Sequence, residues 1–470
     1  MTLVPISLAS QSSPARYTQG GTAALVNCYV ERIGEEGRTP WAIYAADGLQ
    51  GFAALPDATG GVRAMLYVSG YLWVVAGLAL YRVSANGDVT TIGSMSISST
   101  APIYMERNRA STPDIGIVCD GIMYNYDTSL AQVTDVDLLA PTSLAFLDGY
   151  GVIGTANNKW QISDLDDFSS WQAVDFERAD ANPDAVVRVA ALQRDAVIFG
   201  EVSTEFWRNT GAADFPFERV AAIDIGCLAP ASVATVDQTL AWVASDRTVR
   251  MLQGYQGTRI STHSVERAIE DLADKLIIRS TSWVKDGHTF YALTAPGYWT
   301  WVYDTVTGQW HQRESYGADH WRVSAVAEFG GRLIAGDHET GTLYEMSADF
   351  LSEASDPLVM TCTFPPVHAF PHPVTVSSVY LDVERGVGTG QGDSQDISPV
   401  VMMDVSRDGG ATFGDQRMIE IGEQGQRMTR VREYRFGQFS EIGAVFRLSC
   451  SAKVARAWYQ AVADVTKDGV

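Results

Sequence analysis

The sequence predicts an all-β fold: a β-propeller with an N-terminal strand closing the ring, followed by a smaller β-sandwich-like module. Three observations predict it. Short apolar strands come in groups of four, each group with a glycine-rich turn after its first strand and an aromatic in its third. The groups recur at roughly 40–48 residues, the period of a propeller blade. After Met346 the cadence stops, and proline-rich text gives way to a different set of alternating strands.

The clearest unit is Arg63–Val68, Tyr71–Val75, Leu80–Val83 and Val89–Ile92. Comparable units begin near Pro102, Pro141, Pro183, Ala231, Ile278 and Val323. The last shows only Val323–Val326, Arg332–Ile334 and Leu343–Glu345, so its fourth strand is missing. An orphan strand, Gly51–Leu55, precedes the first unit. An open ring would leave unpaired backbone edges, so the orphan is expected to complete the last blade. Seven blades are favoured, with six or eight as alternatives. The expected organisation is an N-terminal arm with lead-in strands over residues 1–50 and a propeller over 51–357. A connector over 358–373 and a sandwich over 374–470 follow.

The third-strand aromatics Tyr81, Tyr124, Trp160, Trp207, Trp301 and Tyr344 read as packing between blades, where a ring buries much area per residue. Ser264 followed by Val265, Ile269, Leu272 and Leu276 has the spacing of an amphipathic helix, with Ser264 as its N-cap and one face of the disc as its place. It is also a candidate docking element. The connector Phe364–Pro373 reads as stiff and extended. Its His368 and His372 have no carboxylate or cysteine nearby in sequence to complete a metal set, so no metal is expected. The strands Val374–Glu384, Val400–Ser406 and Ala444–Ser451 point to the sandwich.

Bulk properties restrict function. The net charge is −22, and 23 of the 34 basic and 43 of the 56 acidic residues precede Leu358. The propeller is therefore strongly acidic and unsuited to gripping nucleic acid through its phosphates. The five cysteines stand singly, which argues against a zinc site or a disulfide framework and for buried thiols. No run of apolar residues reaches the roughly 18 of a membrane span, and the leader Met1–Ala9 lacks the basic and apolar regions of a signal peptide.

Two motifs bear on function. Ser406, Asp408, Gly410, Thr412 and Phe413 form an Asp-box, in which the carboxylate caps a hairpin turn, Gly409 and Gly410 supply positive φ and Phe413 anchors the turn in the core. Arg427, Arg430, Arg432 and Arg435 are the one concentrated basic cluster, with Arg430 and Arg432 on one face if extended. Against so acidic a chain they are a candidate interface to a neighbouring subunit's rim. A sialidase would need an arginine cluster and a Tyr/Glu pair at the propeller centre, and nothing in the sequence singles out three arginines. No phosphate loop, zinc-protease helix or nucleophile elbow is present, so no catalytic or cofactor residue is assigned.

Taken in order, several segments resemble a known family. They are Asn27–Glu31, Asp47–Leu49, Trp160–Asp166, Glu205–Trp207, Arg259–Glu266 and Ser406–Gly414, with Arg417 and Ile421–Gly422 behind. Together they look like the packaged-DNA stabilisation proteins of short-tailed phages, the tail hub or nozzle proteins of P22-like tails. The resemblance implies a non-enzymatic virion part made in the host cytoplasm, a hexameric ring below the portal and its adaptor. Its partners would be copies of itself, the portal–adaptor proteins and a tail needle, tailspike or fibre, with DNA passing through without tight binding. No cofactor is implied. The alternative reading is a glycan-binding or sialidase-like tail propeller. A weaker one is a kelch-like adaptor, suggested by Tyr303–Trp310.

Overall fold

The computed structural model describes residues 2–34, 37, 39–56 and 58–467; the others, Met1 of the leader included, lie outside the described residues. Seven sheets form the blades, at 62–94, 104–132, 141–178, 186–223, 234–259, 279–312 and 323–347. The first six each contribute four consecutive antiparallel strands. The seventh takes its fourth from the N-terminal side: Gly48–Ala54 pairs antiparallel with Thr342–Ser347, Met346 opposite Leu49 and Leu343 opposite Ala53. The closing strand thus starts three residues earlier than the sequence suggests. A side chain at Gly48 would overlap the Phe350 carbonyl, so the close approach requires glycine.

The blades obey local rules. First hairpins turn on residue pairs with left-handed φ, such as Ser69 (51°) with Gly70 (85°) and Asp286 (48°) with Gly287 (82°). That geometry matches the twist of the flanking strands. Second strands are buried along their length, as in Asp195–Gly200. Most fourth strands face solvent, as in Trp171–Arg178, whereas that of blade 6, Gln309–Gln312, is covered. Seven apolar clusters fill the seven spaces between neighbouring blades, the last joining Phe329, Ile334 and Leu343 of blade 7 to Leu72, Val74 and Tyr81 of blade 1. The third-strand aromatics all lie in these seams, with Trp160 fully buried against Trp207 at 5.2 Å between ring centroids. They are packing residues.

The second body is a sandwich whose sheets draw on both ends of the chain. One sheet runs Cys28–Arg32, Trp41–Ala45, Ala457–Lys467, Val374–Val383, Arg432–Phe439, with Thr2–Ile6 also on Ala457–Lys467. The other runs Ala24–Val26, Met360–Thr363, Val445–Cys450, Val400–Ser406, Gly414–Glu420. Leu25, Cys28, Ile43, Phe364, Phe446 and Trp458 meet in one core between them. Ala24–Val26 also lies parallel to Gln309–Gln312, the outer strand of blade 6, with Val26 opposite Gln312. A nine-stranded sheet therefore runs without a break from blade 6 into the sandwich.

Two expectations need correction. The helix spans His263–Asp271 with Thr262 as its N-cap; Ser264 lies inside it and donates its hydroxyl to the Pro14 carbonyl at 2.9 Å. Val265, Ile269 and Leu272 pack between blades 5 and 6, whereas Leu276 is exposed beyond the helix end. The helix end is where the apolar stripe loses its support, which the spacing of leucines alone did not mark. The connector is not a straight spacer either: it pairs Val367 with Ala444, then reverses so that His372 N–H donates to the Ala369 carbonyl at 3.0 Å. All five cysteines are buried free thiols.

Candidate functional site

The basic cluster divides in two. Arg430 and Arg432 line a cavity of about 370 Å³ with Tyr380, Asp382, Arg385 and Gln460. Arg432 lies over the Tyr434 ring at 5.0 Å. Arg427 is exposed in the preceding loop, and Arg435 is turned away by a left-handed φ of 63° where the strand's register to Val374–Val383 shifts. Two other arginines fasten this strand. Arg407 donates to the carbonyls of Gln438 (2.9 Å) and Phe436 (2.6 Å), and Arg417 covers the Phe436 ring at 4.3 Å.

The Asp-box residues form a closed hydrogen-bonded turn. Thr412 donates its N–H and hydroxyl to the two Asp408 oxygens at 2.9 and 2.6 Å, and the Ser406 hydroxyl donates to Asp408 at 2.7 Å. These donors, Thr412 first, hold the Asp408 carboxyl well below the usual range. Gly409 and Gly410 have φ of 77° and 94°, and a side chain on Gly410 would collide with Thr22. The turn therefore seats against the N-terminal segment. Phe413 is half-buried under Arg447 at 4.2 Å, not inserted in the core.

Between propeller and sandwich lies a buried polar seam that sequence reasoning missed. Asn27, in left-handed conformation (φ 55°), donates to the carbonyls of Glu314 (2.9 Å) and Val359 (3.0 Å) and accepts the Glu314 N–H at 3.0 Å. One side chain thus holds blade 6, the N-terminal strands and the sandwich. Arg313 lies 4.2 Å over Trp321, donates to the Asp47 carbonyl at 3.0 Å and sits 3.6 Å from Glu353. Asp47 also pairs with Lys285. Arg456 reaches the carbonyls of Leu358 and Cys450. Asn27 and Asp47 stand in segments that carry the family resemblance, but their roles are not legible in sequence because their partners lie hundreds of positions away.

The loop Gly254–Gly257 is the outer hairpin of blade 5. Tyr255 packs on Phe206 at 4.9 Å, donates to Asp195 at 2.9 Å and accepts from Arg208 at 2.6 Å, so it is tied to blade 4. The propeller axis itself encloses about 290 Å³ lined by first strands of six blades, with Arg63, Arg188, Arg279 and Tyr104 among the lining residues. Three arginines are thus singled out by the fold. Among the described residues no group of three or more His, Cys, Asp and Glu is arranged to hold a metal.

A family profile described as Bacteriophage P22 Gp10, beta-propeller, matches residues 31–350. A second, Bacteriophage P22 Gp10, beta-sandwich, matches residues 369–466. The chain belongs to the bacteriophage P22 Gp10 family. Like the rest of that family, this Gp10-type protein is a structural component of a phage virion. No curated protein matches it. Among solved structures, it is similar to the WD40 beta propeller domain of Doa1 at 12% identity and TM-score 0.41, over 64% of this chain and 97% of that one. It is also similar to the computationally designed Ika8 protein at 13% and TM-score 0.40, over 63% and 99%. No helix among the described residues is long and apolar enough to cross a membrane.

Proposed function

We propose that this protein is the hub or nozzle subunit of a phage tail, assembling as a closed ring of about six copies beneath the portal and its adaptor. The ring retains packaged DNA and lets it pass at ejection, with a tail needle, tailspikes or fibres attached below. The observation that carries this reading is the succession of the two Gp10 matches along one chain, propeller then sandwich. Two physical features support it. The acid excess lies before Leu358, so propeller loops facing a ring lumen would repel the DNA backbone and let it slide. The continuous sheet and the buried seam make propeller and sandwich one stiff body, as a wall under pressure from packaged DNA requires.

Arg430 and Arg432, with Arg427 and Arg435 beside them, are proposed to meet the acidic rim of a neighbouring subunit or the adaptor. The test of the conduit is kinetic. Changing lumen-facing Asp and Glu to Asn and Gln slows DNA ejection from single particles; unchanged kinetics contradict the electrostatic part.

A second reading, glycan binding, is favoured by one observation: three arginines and Tyr104 meet at the propeller axis. Burial pushes the Tyr104 phenol above its ordinary value, which disfavours a tyrosine nucleophile. A glycan array with a sialidase substrate separates this reading from the hub.

A further inference from the structure

The axial cavity has the chemistry of an anion site. Arg63 comes from blade 1, Arg188 from blade 4 and Arg279 from blade 6, and all reach the segment that leads into blade 2. Arg63 donates to the Gly77 carbonyl at 2.9 Å and to the Ala101 carbonyl, while Arg279 donates to the Thr100 carbonyl at 3.3 Å. Two guanidinium groups are thus tethered to consecutive carbonyls, near enough that Arg63 pulls Arg279 below its ordinary value, after burial itself. Arg188 stacks 3.6 Å over the Tyr104 ring, just beyond them.

Like charges gathered at partly buried positions repel unless an anion sits among them. Among the described residues, none of these three arginines forms an ion pair with a carboxylate. Glu106, the acid whose charge Arg188 feels, is itself pushed up to about 7 by burial. The Nε and Nη1 groups of Arg188 are shut off from solvent, that of the cavity included, so Arg188 acts on the cavity through its charge. The remaining wall carries no charge: Ser280, Ser282 and Ser324 donate to backbone carbonyls, and the rest is largely alanine and other small apolar groups. An acidic protein has here a cationic pocket at its centre.

We propose that this cavity binds a small, multiply charged oxyanion of the phosphate class, held by the combined charge of Arg63, Arg188 and Arg279. Three guanidinium groups call for more than one negative charge, which favours phosphate over a single carboxylate. The volume of about 290 Å³ exceeds that of the bare ion, so a phosphate monoester also fits.

Calorimetric titration of the purified full chain, at fixed ionic strength in chloride, tests the proposal. Inorganic phosphate is expected to bind saturably at one site in the ~0.1–1 mM range, and Arg188→Met to weaken it by about tenfold or more. Arg279→Met carries the same test if the first variant does not fold. A separate arm with a 5′-phosphorylated dinucleotide tells a free anion from a chain end, and binding of either supports the site. Absence of saturable phosphate binding would overturn the proposal, as would affinity unchanged in both variants. Selective binding of N-acetylneuraminate in place of phosphate would also overturn it, in favour of a carboxylate site. None of these outcomes depends on whether the chain forms a ring.

Discussion

Trp321 donates its indole N–H to Glu353 at 3.0 Å, and both side chains are sealed from solvent beside the strand that closes blade 7. Arg313 lies over the same indole and 3.6 Å from the same carboxylate. A buried acid in this setting is tolerated because an indole and two guanidiniums face it, the second being Arg322 at 3.9 Å.

Removing the acid should therefore be costly. Glu353→Ala leaves Arg313 buried without its counter-charge and is expected to destabilise by about 3–5 kcal/mol. Glu353→Gln keeps the indole bond and is expected to cost less, about 1–3 kcal/mol. Chemical denaturation measures both; equal, small losses would mean that the seam contributes little.

Acid should weaken the protein through His311. Burial, then Arg313 and His288, lowers its pKa from 6.5 to about 3. The unfolded chain takes up a proton below pH 6.5 that the folded one refuses. This group's stabilisation is complete above pH 6.5 and is lost as pH falls toward 3, by about 1.4 kcal/mol per pH unit. His311→Phe, which matches the aromatic neighbours Tyr29 and Phe290, should flatten the fall of Tm between pH 6.5 and 4. Parallel curves for the two proteins would refute this.

The Asp-box turn should fail locally. With Asp408→Ala, Thr412 and Ser406 lose their shared acceptor. Amide hydrogen exchange is expected to quicken at 406–413 and at the Thr18–Thr22 segment seated on it, while the blades stay protected. Exchange confined to neither segment would contradict the packing described.

Charge reversal should distinguish the two halves of the basic cluster. Arg430→Glu with Arg432→Glu alters the shared cavity and is expected to impair assembly more than Arg427→Glu with Arg435→Glu. Assembly that survives reversal of all four would exclude them as an interface.

Much of the propeller was legible because its signals are local. A four-strand period, a turn glycine and a third-strand aromatic each lie within one blade, and the missing last strand followed from the need to close the ring. What escaped reading was non-local. Ala24–Val26 is three residues long, too short for any periodicity, yet it joins blade 6 to the sandwich. Arg430 and Arg432 line one cavity, a grouping that the sequence offers only as one face of an extended strand, and the kink at Arg435 is invisible in a list of arginines. Arg63, Arg188 and Arg279 lie far apart in sequence and converge because each stands near the start of a blade's first strand. An arginine recurring at that position was the available signal.

The central claim is best tested by the mass of the purified protein, alone and mixed with a portal–adaptor complex. Recruitment to the complex as a ring of about six copies is the predicted result. A monomer that ignores the complex at assembly concentrations would contradict the account.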